Sequence, residues 1–135
     1  RVRVSVLQSI RREIDSLSAS RAAARDLAAR LDGGTVVLTL GARGAWLFLP
    51  GSKGAILVPS HKVRAVDTTA AGDTFVGAFA ARYLGCRDAR EASRFASAAA
   101  ALSVTRLGAI PSIPRRAEVE KILGGKSRQA RDATR

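Results

Sequence analysis

Residues 35–41 read Thr-Val-Val-Leu-Thr-Leu-Gly, a short run that is almost wholly apolar and rich in β-branched side chains. A strand made from it has no polar face to turn toward water, so both of its faces must be covered. Helices are the usual cover, and the flanking sequence supplies them. Residues 20–32 favour a helix through Ala, Leu and Arg, with Leu27 and Leu31 on one face and Gly33-Gly34 as the stop. Downstream, 45–49 and 55–58 read as two strands joined by a Pro-Gly-Ser-Lys-Gly turn, and 61–66 as a further extended piece.

From Asp73 onward the apolar spacing becomes helical. Phe75, Val76, Phe79 and Tyr83 recur at three- and four-residue intervals, and Gly85 is placed to close the helix. Asp88 followed by Glu91 predicts the capped start of another helix, whose Ala-rich middle (Ala96, Ala98 to Ala101) lets a second backbone come close. Pro111 and Pro114 interrupt the chain. Residues 115–123 then read as a last short helix stopped by Gly124-Gly125, with a polar, frayed tail over 124–135. Buried strands among helices predict an α/β layered fold with a mainly parallel central sheet flanked by helices.

Composition narrows the function classes. At 135 residues, with 47% hydrophobic and 25% charged side chains, the chain can bury one ordinary domain core. No apolar run reaches the length of a membrane span, and Cys86, the single cysteine, fits a reducing cytoplasm. A net charge of +12 raises nucleic acid as a partner. The excess, however, is +4 in each of residues 1–30, 31–110 and 111–135, and aromatics are only 4%. That is too few for a base-stacking surface, so no specific nucleic-acid partner is expected.

Two acids stand out, Asp67 and Asp73, in a stretch made largely of Ala, Gly and Thr. A helix that begins near residue 73 carries unpaired N–H groups and a partial positive charge in its first turn. With Ala70, Ala71 and Gly72 ahead of it, a phosphate can come close to those amides. An acid at the same end could accept a proton from an attacking hydroxyl. The residues equally fit a plain alternative, in which Asp73 caps a helix after a tight turn. Thr39 to Gly44 form a strand end with a Gly-X-X-Gly turn, which suits a nucleotide at a sheet's carboxyl edge or an ordinary turn. His61 has no second metal ligand near it in sequence and reads as a surface residue.

The segment Asp-Thr-Thr-Ala-Ala-Gly-Asp-Thr-Phe-Val-Gly-Ala-Phe (67–79) closely resembles the C-terminal signature of the ribokinase-like carbohydrate kinases, a family that includes fructokinases and adenosine kinases. The resemblance continues through 36–48 upstream and 92–123 downstream, covering about residues 20–123; within the family the Ala-Ala-Gly-Asp form is similar to the ribokinase branch. It implies the C-terminal portion of a ribokinase-like fold and ATP-dependent phosphorylation of a sugar's primary hydroxyl, ribose to ribose 5-phosphate, with fructokinase or another sugar or nucleoside kinase as the alternative. It implies Asp73 as the base at the sugar hydroxyl, with Ala70, Ala71 and Gly72 as the anion hole. Thr39, Leu40, Gly41, Ala42, Arg43, Gly44, Gly72 and Ser97 fall at nucleotide-contacting positions. Asp67, Thr69, Ser103, Arg106, Gly108 and Ser112 fall at those of a monovalent-cation site, normally K+. ATP, Mg2+ and K+ are the implied cofactors, and a homodimer is open for a full-length parent.

The chain also departs from the family pattern. The Gly-Gly sugar motif and the lid are missing, and the Asn-x-x-Glu motif associated with Mg2+ would stand near residues 3–6, which read Arg-Val-Ser-Val. The chain has no asparagine. Residues 1–19 are left unassigned, and a partial sequence, inactive by itself, is the expectation; a non-catalytic nucleotide-binding remnant is the competing one.

Overall fold

The computed structural model describes residues 4–8, 17–31 and 34–132. The elements run β1 (Val4–Gln8), α1 (Leu17–Arg30), β2 (Thr35–Thr39), a 3-10 turn (Gly41–Arg43), β3 (Ala45–Phe48), β4 (Ile56–Val58), α2 (Ala71–Cys86), α3 (Ala89–Ser103) and α4 (Arg116–Asp132).

The apolar run at 35–39 is covered on both sides, as its composition demands. Val36 and Leu38 pack with Phe48 and Leu40 against Ala24 of α1. Val37 turns the other way, joining Ala45, Leu47 and Val58 against Phe75 and Phe79 of α2 and Ala92 and Ala96 of α3. The period of two along the strand thus sorts its side chains between two helical layers. α4 lies outside α3, with Val119 against Phe95, Ala98 and Ala99. The small side chains of Ala92 and Ala96 on α3 pack with Phe75 and Phe79 of α2, and along α2 itself Phe79 stacks between Phe75 and Tyr83, with centroids 6.5 and 5.7 Å away.

The sheet order is β1-β2-β3-β4. Only β1–β2 is parallel, with Val6 opposite Val37. β2–β3 and β3–β4 are antiparallel, with Leu47 opposite Val37 and Trp46 opposite Leu57. Among the described residues the sheet is therefore mixed, not mainly parallel. Connections as short as 40–44 and 49–55 can only return the chain antiparallel, whereas α1 provides the crossover that a parallel pair needs.

Three further features differ from the reading of the sequence. A strand forms within residues 1–19, where the Val4-Ser5-Val6 alternation is its one signal. α2 does not stop at Gly85 but runs to Cys86, and Arg87 takes the left-handed turn (φ 56°), its N–H donating to the Tyr83 carbonyl at 2.9 Å. α4 continues through Gly124-Gly125 to Asp132. Each mid-helix glycine costs only about 1 kcal/mol relative to Ala, and no proline follows to enforce a stop. The cap at Asp88 forms as read: its Oδ1 accepts the N–H groups of Arg90 (2.8 Å) and Glu91 (3.2 Å). Glu91 does not reach back to complete a capping box, because it is paired with Arg82.

Candidate active site

Asp73 is exposed and sits third in α2. Ahead of it, Ala70 occupies the left-handed region at φ 60°, ψ 11°, and Ala71 begins the helix. A left-handed residue followed by a right-handed one turns successive N–H groups into one concavity, the arrangement that receives anions. The Ala71 N–H donates to the Thr68 carbonyl at 3.3 Å, and the amides of Gly72 and Asp73 have no partner among the described residues. The side chains of Ala70, Ala71 and Gly72 are too small to cover these amides. Thr74 closes the turn by donating its N–H to the Ala70 carbonyl at 2.8 Å.

Asp67 stands just upstream and is held quite differently. Its Oδ1 accepts the Thr69 N–H at 2.8 Å, and its Oδ2 accepts the Gly108 N–H at 3.0 Å. The Val66 and Asp67 amides both donate to the Val104 carbonyl, at 2.7 and 3.1 Å. These bonds join the turn that precedes α2 to the loop after α3. The Thr69 hydroxyl, then its amide and that of Gly108, hold the Asp67 carboxyl below the ordinary carboxylate range.

The remaining residues implied for a cation site lie around this junction. Ser103 and Ser112 are fully buried, and their hydroxyls donate to the Ala100 and Ala109 carbonyls at 2.9 and 2.7 Å. The Arg106 N–H donates to the Ser103 carbonyl at 3.1 Å, while its guanidinium pairs with Glu118 of α4. The donor set is one carboxylate with neutral hydroxyl and carbonyl oxygens, the all-oxygen kind of set that hard cations take. Among the described residues no three His, Cys, Asp or Glu side chains gather, so an Mg2+ ion would draw its oxygens largely from a bound nucleotide's phosphates.

The positions that the resemblance implies for nucleotide contact, Gly72 at the head of α2 apart, lie at the end of β2 and on α3. Gly41, Ala42 and Arg43 are exposed beyond the carboxyl end of β2. Gly44 cannot be anything else, since at φ 99° a Cβ would stand 2.1 Å from the Val58 carbonyl oxygen. Ser97 is buried, and its hydroxyl donates to the Pro59 carbonyl at 3.1 Å, next to the backbone that Gly44 touches. Its donor is thus already in use, tying α3 to the end of β4. The two groups of residues share α3 as a ruler, with Ser97 and Ser103 about 9 Å apart along its axis. Cys86 exchanges long hydrogen bonds with the Asp88 backbone at 3.4 and 3.5 Å. What the spacing of residues does not reveal is the part played by backbone: the Ala70 conformation and the doubly used Val104 carbonyl have no side-chain signal.

The model of the pfkB family carbohydrate kinases matches residues 7–116. The chain belongs to this family. The pfkB match takes in β2 to α3 and both acids. A ribokinase of Haemophilus influenzae is 46% identical over 89 residues, 66% of this chain and 28% of its own length. A fructokinase-1 of Oryza sativa subsp. japonica is 42% identical over 95 residues, 65% of this chain and 29% of its own. The structure of an Arabidopsis thaliana ribokinase complexed with ribose and ATP superposes with a TM-score of 0.70 at 33% identity, over 90% of this chain and 40% of that one. The pfkB chain described here therefore spans under a third of the length of the curated relatives it matches.

Proposed function

We propose that the polypeptide to which this pfkB-family stretch belongs transfers the γ-phosphoryl group of ATP to the primary hydroxyl of a sugar, and that the sugar is ribose. The observation that carries this reading is the placement of Asp73: an exposed carboxylate in the first turn of α2, next to the unpartnered amides of Gly72 and Asp73. Transfer of a phosphoryl group relies on positioning and on stabilising charge on its oxygens. In this reading the amides at the head of α2 receive those oxygens, and the Asp73 carboxylate takes the proton as the sugar oxygen attacks. Thr39 to Gly44, Gly72 and Ser97 form the nucleotide side.

Asp67, Thr69, Ser103, Arg106, Gly108 and Ser112 would hold K+, which when bound would supply fixed positive charge behind the anion-binding turn. Mg2+ would enter on the phosphates of ATP. Ribose is supported by the ribokinase relative and by the Arabidopsis ribokinase with ribose and ATP; the rice fructokinase keeps fructose as the sugar to compare. The free Cys86 is consistent with a cytoplasmic setting.

The test is Asp73→Asn in the full-length parent. Loss of a positioned base lowers kcat by about 10²–10⁴-fold and leaves the KM for ATP nearly unchanged. Turnover equal to the unmutated enzyme would remove Asp73 from this role. Comparing kcat/KM for ribose, fructose and adenosine decides the substrate.

A further inference from the structure

Residues 104–114 lead from α3 toward α4, and burial does little to hold them. Leu107 is 73% exposed, Ile110 82% and Ile113 52%. A loop whose large apolar side chains lie in water relies on polar contacts to keep one shape. Two carboxylates from outside the loop grip it. Asp67, in the turn before α2, accepts the Gly108 N–H at 3.0 Å, and Glu118, in the first turn of α4, pairs with the Arg106 guanidinium.

Of the second pair, the Glu118 end is the fixed one. Its Oε2 accepts the Arg115 N–H at 2.7 Å, the reach-back bond of a capping box, which sets the direction of the carboxylate. The next residue, Val119, is 1% exposed and packs on Phe95, Ala98 and Ala99 of α3. With one oxygen committed to backbone and the helix seated on α3, Oε1 is presented to the loop in one place. The Arg106 and Glu118 side chains are 36% and 40% exposed, so their pairing adds little to stability. Its effect is geometric. The Arg106 N–H donates to the Ser103 carbonyl at 3.1 Å, and Gly108, just beyond it, takes φ 85° and meets Asp67. Pinning the Arg106 side chain therefore limits where the Gly108 amide stands.

We infer that Glu118 is a positioning residue for the proposed cation site: through the Arg106 guanidinium it holds residues 104–108 where Gly108 meets Asp67 and where the loop's oxygens would receive K+. Glu118 is not itself one of the ion's donors, since its two oxygens accept from Arg106 and Arg115. The inference rests on the kinase reading for the identity of the ion and goes beyond it in placing a residue that the site depends on outside the site, on α4. Partners of this outer kind orient the groups that touch a metal, and their loss is felt in its affinity.

The 135-residue chain is titrated with KCl at constant ionic strength, choline chloride making up the difference, and the NMR shifts of the Thr69 and Gly108 amides report binding. Amide hydrogen exchange is measured on the same samples. Glu118→Gln should weaken K+ binding about 10–100-fold. It should also speed exchange at Gly108 severalfold, with or without K+, while the Phe79 amide in the core keeps its rate. Glu120→Gln removes the same charge from the same helix, where Glu120 pairs with Arg116, and should change neither readout. A loss of stability alone would move Phe79 together with Gly108 and leave the K+ affinity of folded molecules untouched. Arg106→Met should reproduce the effect, and it serves in place of Glu118→Gln if that variant does not fold; Arg106→Lys should keep most of the affinity. In the Arg106→Met background Glu118→Gln should add little. Either readout unchanged in Glu118→Gln, an equal effect of Glu120→Gln, or full additivity in the double variant would overturn the inference. If the unmutated chain takes up no K+, the ion leaves the kinase reading, and Gly108 exchange still decides whether Glu118 holds the loop.

Discussion

Ala70 holds φ 60° at the head of α2, where a Cβ is crowded and glycine is at ease. The strain lies at the residue that turns the next amides, those of Gly72 and Asp73, into one concavity, the kind of place where backbone strain is retained at functional sites. Replacing Ala70 by Gly removes the crowding but also loosens the unfolded chain. The first effect is the larger at a left-handed position, so Ala70→Gly should stabilise the fold by about 0.5–1 kcal/mol. Urea denaturation at neutral pH measures it, and a lower midpoint would show that Ala70 is not strained. The Ala-Ala-Gly-Asp run marked a helix start that leaves its first amides uncovered, because small residues stand ahead of a helix acid. The left-handed turn was not legible, because nothing in an alanine side chain announces it.

At the scale of elements, α2 and α3 hold the site on the sheet. Phe79 is 2% exposed, lies between Phe75 and Tyr83, and reaches the sheet core at Val37 and Leu47. Phe79→Ala should cost about 3–5 kcal/mol, a large part of the stability of a domain this size. A thermal melt that stays within a few degrees of the unmutated chain would mean that this layer is not the core. Phe79 was readable from its helical spacing, and so was the cover on β2 from its unbroken apolar run. The limits of the helices were not. Gly85 and Gly124-Gly125 have the composition of stops, yet α2 runs on to Cys86 and α4 to Asp132, since a helical glycine costs only about 1 kcal/mol.

Across the molecule, carboxylates fasten segments far apart in sequence: Asp67 holds Gly108, and Glu118 holds Arg106 and the Arg115 amide. The Arg106 hydrogen bond first and the Arg115 amide next lower the Glu118 pKa, as Thr69 and Gly108 lower that of Asp67. A carboxyl depressed in the folded state stabilises it fully above the unfolded values, 4.5 for Glu118 and 3.8 for Asp67. That stabilisation is lost as pH falls through the lower folded values. Urea midpoints should thus hold steady from pH 7 to about 5 and drop toward pH 3. Asp67→Asn with Glu118→Gln should flatten that drop, and an unchanged slope would show that other groups cause it. Neither clasp could be read from the sequence, since the partners lie 41 and 12 residues apart and the donor to Asp67 is a backbone amide with no side-chain signal.

The mixed sheet also sets an order of assembly. β2, β3 and β4 meet through short turns, so little chain entropy is lost in bringing them together. β1 can join β2 only after the whole of α1 has been laid across the gap between Val4 and Thr35. Folding should start in the three-stranded meander, and β2, interior in the completed four-stranded sheet, waits on one edge for its last neighbour.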